Sequence, residues 1–178
     1  WQPAVDAMAH VRPHLRGDVY GVLGNHDSIR MVPALEELGI RMLMNESVSI
    51  QRADALLYLV GVDDPHYFQA HNLEKACATR PAESVSVLLS HSPEIYRQAA
   101  GADFHVMLCG HTHGGQICLP GGIPMLRNAR APRRFCSGAW RHNGMLGYTS
   151  RGSGVSMVDV RLNCPPEVTL HEFRRAPV

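Results

Sequence analysis

Residues 85–115 read VSVLLSHSPEIYRQAAGADFHVMLCGHTHGG, and the architecture follows from how this stretch divides. Val85 to Leu89 and Phe104 to Cys109 are largely apolar and of strand length, with Ser86 and His105 as the clear polar interruptions. Strands buried on both faces have this composition. Between them, Ser92-Pro93, Glu94 to Ala100 and Gly101 spell a helix, with a cap, a proline in the first turn and a glycine at the end. Alternation of this kind predicts an α/β fold. Each run then ends in a small residue followed by a side chain able to ligate metal: Ser90-His91 after the first, and Gly110-His111-Thr112-His113-Gly114-Gly115 after the second.

The same grammar extends outward. Val19 to Leu23 runs into Gly24-Asn25-His26-Asp27, and Leu56 to Val62 is a fourth apolar run, followed by Asp63-Asp64-Pro65, where Asp63-Asp64 could contact the site or its waters but reads first as an acidic turn. Helical spacing covers Ala4 to Leu15, and a second helix is expected over Ser28 to Leu38, starting on Asp27 or Ser28 and stopping at Gly39. After Pro120 the composition shifts to Gly, Pro and Arg. Strands are predicted over Phe135 to His142 and Met145 to Ser150, joined by an Asn143-Gly144 turn, and again over Val155 to Leu162 and Val168 to Phe173. With no repeat, low-complexity tract or linker, the 178 residues read as one domain.

In open α/β sheets ligands gather beyond the carboxyl ends of the strands, so the tails carrying Asn25, His91 and His111-Thr112-His113 should converge on one edge. Imidazole and amide oxygen suit Mn, Fe or Zn, and these loops offer no thiolate. Each piece has a plainer explanation. A histidine at a strand end is commonly a hydrogen-bonded structural residue, and Gly-Asn-His-Asp makes a good turn and helix cap. His-Thr-His-Gly-Gly after a buried strand is harder to explain that way. His111 and His113 could face one metal or reach two, and spacing alone leaves both open.

Composition excludes several classes. At 45% hydrophobic and 19% charged residues, the chain can bury a core and is not disordered. Lys+Arg 17 against Asp+Glu 16 leaves a formal charge of +1, so no global field marks a nucleic-acid binder, and no specific nucleic acid is predicted as a partner. No apolar run approaches the ~20 residues of a membrane helix, and no signal-peptide pattern opens the chain. Five scattered cysteines suggest neither a disulfide framework nor a thiolate zinc site.

GNHD at 24–27, Ser90-His91 and GHTH at 110–113, in that order, resemble the last three signature blocks of the calcineurin-like metallophosphoesterases. Further resemblance lies in GHTHGGQI at 110–117, in Thr149-Ser150-Arg151-Gly152 and in Cys164-Pro165-Pro166-Glu167-Val168-Thr169-Leu170, which look like a bacterial branch that includes membrane-associated phosphodiesterases. The resemblance implies a layered α/β/β/α sandwich that hydrolyses phosphoester bonds, phosphodiesters foremost, with two divalent ions (Mn, Fe or Zn) and an activated water. By motif position, Asn25, His91 and His111 would ligate one ion and His113 the other. His26 would face the scissile phosphate, with Asp27 orienting it. Apart from the resemblance, Arg127, Arg130, Arg133 and Arg134 crowd the loop after GHTHGGQI, where they could meet a substrate phosphate or an anionic lipid surface, although a solvated loop is the plainer reading.

The family pattern opens with Asp-x-His and Gly-Asp blocks, which supply further ligands including a bridging carboxylate. Neither stands before GNHD here, and Asp18 of Gly17-Asp18, at the entrance of the strand that leads to Asn25, reads as a turn. Residues 1–178 are therefore expected to be the C-terminal part of a single metallophosphoesterase domain, poorly active alone, with any anchor or export signal upstream. Other hydrolase classes fall away. An H-x-H-x-D-H enzyme would need Asp-His where Gly114-Gly115 stand, and H-E-x-x-H is absent. The alternative is an inactive phosphoesterase fold acting as a binding module through its arginine loop.

Overall fold

The four apolar runs become the strands that carry the site, because both of their faces are covered. The computed structural model describes residues 1–81 and 84–174. Its main sheet has six strands in the order β3 (Glu46–Arg52), β4 (Ala55–Gly61), β5 (Val85–Ser90), β6 (Val106–Cys109), β10 (Met145–Thr149), β9 (Gly138–His142). The four central strands run parallel, and β3 and β9 are antiparallel edges. A second sheet pairs β1 (Val19–Gly21) in parallel with β2 (Ile40–Met42). The small ribbon of β7 (Cys118–Leu119) and β8 (Ile123–Pro124) stands apart from both.

Period-two alternation sorts the side chains of the main sheet onto two cores. Tyr58, Val60, Val62, Leu88 and Met107 point to one face, where they pack against Ala76 of α3 (Leu73–Ala76), Tyr96 and Ala99 of α4 (Tyr96–Gly101), and Phe135. Leu57, Leu59, Val87, Leu89, Val106 and Leu108 point to the other, against Tyr20, Val22 and Leu43 of the small sheet and its flanks. The outer face of the small sheet is covered by α1 (Gln2–Val11) and α2 (Val32–Glu37) through Val5, Leu35, Ile40 and Met42. The layers are thus helix, sheet, sheet, helix. The two sheets lie so close that a side chain at Gly61 would overlap Leu43 and Val22.

The polar interruptions of the apolar runs answer each other. Ser86 is fully buried, and its hydroxyl lies 2.9 Å from His105 Nδ1 on the neighbouring chain segment. Buried polar groups need such partners. The Asn143-Gly144 turn closes the β9–β10 hairpin with both residues at positive φ (46° and 86°), as a two-residue hairpin loop requires. Asn72 caps α3 by accepting the Lys75 N–H at 2.8 Å.

Three expectations are corrected. The helix expected over 28–38 is a 3-10 turn (Ile29–Met31) leading into the shorter α2, and the strand expected from Phe135 starts only at Gly138, after a 3-10 turn at Arg133–Phe135. Residues 155–162 and 168–173 form no strands; a single bridge joins Leu162 to Ile117. In the first stretch and beside it, side-chain bonds hold the backbone in place of a ladder. Gln116 binds the Ser156 N–H and the Ser156 and Val158 carbonyls, while the Arg161 guanidinium gathers the carbonyls of His113, Arg151, Gly152, Gly154 and Cys164. Among the described residues no helix is long and apolar enough to cross a membrane.

Candidate functional site

Parallel register places the carboxyl ends of β4, β5 and β6 along one edge, with Gly61 opposite Leu89 and Ser90 opposite Cys109. His91 and His111 are the first side chains beyond that edge on β5 and on the Gly110 turn after β6. Asn25 reaches the same point from the small sheet. Asn25 Oδ1 lies 2.8 Å from His91 Nε2 and 3.1 Å from His111 Nδ1, and the two ring nitrogens are 3.0 Å apart. His111 Nε2–H donates to the Asn128 carbonyl at 2.5 Å, which leaves Nδ1 with a lone pair in the neutral ring. Amide oxygen also only accepts, so at most one proton, on His91 Nε2, is available to three mutually touching acceptors. The triangle is short of protons and suited to a cation.

Burial, above all, keeps these imidazoles neutral. His111 is pushed down to about 4, first by desolvation and then by the neighbouring His91 and His66. His91 is lowered by desolvation, against the charges of Asp64 and Asp27, which favour its protonation. His113 is lowered by desolvation in the first place, with a backbone hydrogen bond to Gly154 working the other way and Arg161 and His26 adding to the effect. Neutral imidazoles offer lone pairs.

The loop that carries them is conformationally strained. His111, His113, Gly114, Gly115 and Gln116 all have positive φ, between 50° and 90°. Non-glycine residues adopt that region at a cost, and such positions cluster at functional sites.

The other expected site residues are placed as follows. His113 makes no hydrogen bond to the Asn25–His91–His111 group; its Nδ1 is buried without a partner. His26 is exposed and near His113. The Asp27 carboxylate accepts the Gly24 N–H at 2.7 Å and so closes the 24–27 turn. Arg127, Arg130, Arg133 and Arg134 are all exposed. Arg133 and Arg134 line a groove of about 350 Å³ beside Gly114 and Pro124, which none of the three converging donors lines. Asp18 is exposed at the far end of β1, and no group of three or more His, Cys, Asp or Glu side chains among the described residues could hold a metal ion. The converging set is two imidazoles and an amide.

Sequence reasoning left His66 and Glu94 without a role and treated Asp64 as part of a turn. All three lie at this edge. Asp64 is 2% exposed; burial works to raise its pKa, but the N–H groups of Phe68, Tyr67 and His66 hold it below the ordinary value. The fourth apolar run also ends in a turn bearing a ligand-type side chain, Asp63-Asp64-Pro65-His66, and that parallel was the available signal.

No protein-family profile matches the chain. The chain is 30% identical over 167 residues to the metallophosphoesterase YkoQ of Bacillus subtilis (strain 168), covering 87% of this chain and 60% of that one. It is 31% identical over 167 residues to the phosphodiesterase YaeI of Escherichia coli (strain K12), covering 86% and 57%. The chain therefore spans about three fifths of the length of these curated relatives. In fold it is similar to the crystal structure of a Staphylococcus aureus protein proposed as a 5'-nucleotidase, with a TM-score of 0.52 over 97% of this chain and 42% of that one, at 13% identity.

Proposed function

Because this chain belongs to the calcineurin-like metallophosphoesterase family, we propose that Asn25, His91 and His111 hold one divalent ion (Mn, Fe or Zn) of a binuclear phosphoesterase centre, and that His113 contacts the second. Residues 1–178 then stand as the C-terminal part of one such domain. The observation that carries this reading is the Asn25–His91–His111 triangle, with edges of 2.8, 3.1 and 3.0 Å. Three lone-pair atoms about 3 Å apart are within reach of one ion that would bind imidazole nitrogen at about 2.1 Å. The unpartnered Nδ1 of His113 fits the second position, where this chain offers one donor.

Bound divalent ions supply Lewis-acid polarisation of a phosphoryl oxygen and acidify a water. The chain's own residues do the rest. His26, exposed beside His113, hydrogen-bonds or protonates the leaving oxygen, and Asp27 sets its position by locking the Gly24 turn. Arg127 and Arg130 flank Asn128, whose carbonyl takes the His111 N–H, and there they meet a phosphate or an anionic lipid headgroup; Arg133 and Arg134 offer a second anion contact in the neighbouring groove. The name of YaeI favours a phosphodiester as substrate.

Calorimetric titration with Mn²⁺, paired with hydrolysis of bis(4-nitrophenyl) phosphate, tests the reading. Saturable Mn²⁺ binding that the Asn25→Ala variant loses is the expected result; a chain that binds no Mn²⁺ refutes it and leaves the inactive binding module. Gly24 supplies a second check. An added Cβ there would stand 2.5 Å from Cε1 and 2.6 Å from Nδ1 of His91. Gly24→Ala must displace the His91 ring or the backbone beside it, and Mn²⁺ affinity is expected to fall about 10-fold, within the range seen when a ligand loses its orientation. Unchanged affinity in that variant would show that His91 does not bind.

A further inference from the structure

We propose that His66 and Glu94 form a clamp that sets the rotation of the His111 ring, so that His66 is a positioning residue for the site described above. This deepens the proposed function and rests on its assignment of His111 as a ligand.

The clamp is a closed circuit of contacts. After β4 the chain is turned back by the buried Asp64 carboxylate, which accepts the N–H groups of His66, Tyr67 and Phe68 at 3.1, 2.7 and 2.9 Å. That turn directs His66 inward, where its side chain is 16% exposed and Nδ1–H donates to Glu94 Oε1 at 2.7 Å. Glu94, 9% exposed, also accepts the Arg130 N–H at 2.8 Å through the same oxygen. Two residues earlier, the Asn128 carbonyl takes His111 Nε2–H. The circuit closes where the His66 ring lies against the His111 ring, with centroids 4.2 Å apart and planes inclined by 45°.

His111 needs such a device. It sits at φ 70°, outside the strand whose pleat would otherwise aim its side chain. The hydrogen bond to Asn128 fixes Nε2, while on the Nδ1 side the ring meets the proton-poor Asn25–His91 pair, which holds it only weakly in the metal-free protein. A second contact on the ring face removes the remaining freedom, and Glu94 ties both contacts to one carboxylate. The effect of this hydrogen-bonded pair is expected in the geometry of His111.

The experiment compares the full chain with His66→Ala, Glu94→Ala and Glu94→Gln. It has two readouts: Mn²⁺ affinity by calorimetry, and the side-chain ¹⁵N shifts of His111 in the metal-free protein, which report which ring nitrogen carries the proton. Both alanine variants are expected to lose about 10- to 100-fold in Mn²⁺ affinity, as removal of an orienting partner does, and to show His111 as a mixture of tautomers. Glu94→Gln keeps an oxygen that accepts both N–H groups and is expected to bind Mn²⁺ much as the parent does. If His66→Ala does not fold, the Glu94 pair decides. Alanine variants that fold, keep the parent's affinity and keep a single Nε2–H tautomer overturn the clamp. A parent that binds no Mn²⁺ refutes the proposed function, and the tautomer comparison still judges the clamp.

Discussion

His111→Ala is expected to lower Mn²⁺ affinity by more than about 100-fold, because loss of a ligand must exceed the roughly 10- to 100-fold lost with an outer partner. The substitution removes Nδ1 from the triangle and leaves Asn25 Oδ1 and His91 Nε2, two donors 2.8 Å apart. In the full-length protein, phosphodiester hydrolysis should fall with it. His26→Ala separates the two readouts. His26 is exposed and is not one of the three converging donors, so affinity should stay near that of the parent while, in the full-length protein, turnover drops by about 10²- to 10⁴-fold, the usual worth of a positioned acid or base. Retained affinity in a folded His111→Ala protein would remove His111 from the site.

Phe135→Ala is expected to destabilise the chain by about 3–5 kcal/mol, the range for a fully buried aromatic cut to a methyl group. Phe135 is 0% exposed and stacks on Trp140 of β9 at 4.4 Å, with Tyr96 of α4 edge-on at 4.9 Å. Its ring therefore joins the edge hairpin to the helix layer. Its carbonyl, which accepts the Thr149 hydroxyl at 2.6 Å, survives the substitution, so the loss reports the ring's packing together with its contact to the Arg134 guanidinium, 4.8 Å from the ring centroid. Against a typical total of about 5–15 kcal/mol, that is a large share. Urea denaturation measures it, and a change below about 1 kcal/mol would mean that the neighbours collapse into the space.

The parts of the fold that were legible in the sequence are those where one physical demand acts alone. Val85 to Leu89 and Phe104 to Cys109 read as strands because burial on both faces excludes nearly every polar residue, and the two exceptions, Ser86 and His105, satisfy one another. The meeting of Asn25, His91 and His111 followed from strand direction. Short or half-exposed elements were not legible: β2 has three residues, α3 has four, and β3 reads Glu-Ser-Val-Ser-Ile-Gln-Arg with only half of each repeat apolar. The tail failed differently. Its valines at 155, 158 and 160 suggest a strand, yet Gln116, forty residues away, claims the backbone of Ser156 and Val158, a competition that local pattern does not register. His66 and Glu94 lie 28 residues apart on different loops, and no spacing rule connects them.

Asn25 stands on the turn that follows the small sheet's β1, whereas His91 and His111 follow strands of the large one, and between those sheets the described contacts are mostly greasy. An ion seated among the three would act as a rivet through two plates. Sliding one plate over the other would then have to break coordinate bonds, and at free ion about 100-fold above Kd the fastening adds about 2.7 kcal/mol. Cohesion of the outer plate and occupancy of the rivet hole become one quantity, so ion supply would govern how easily this end of the molecule peels open.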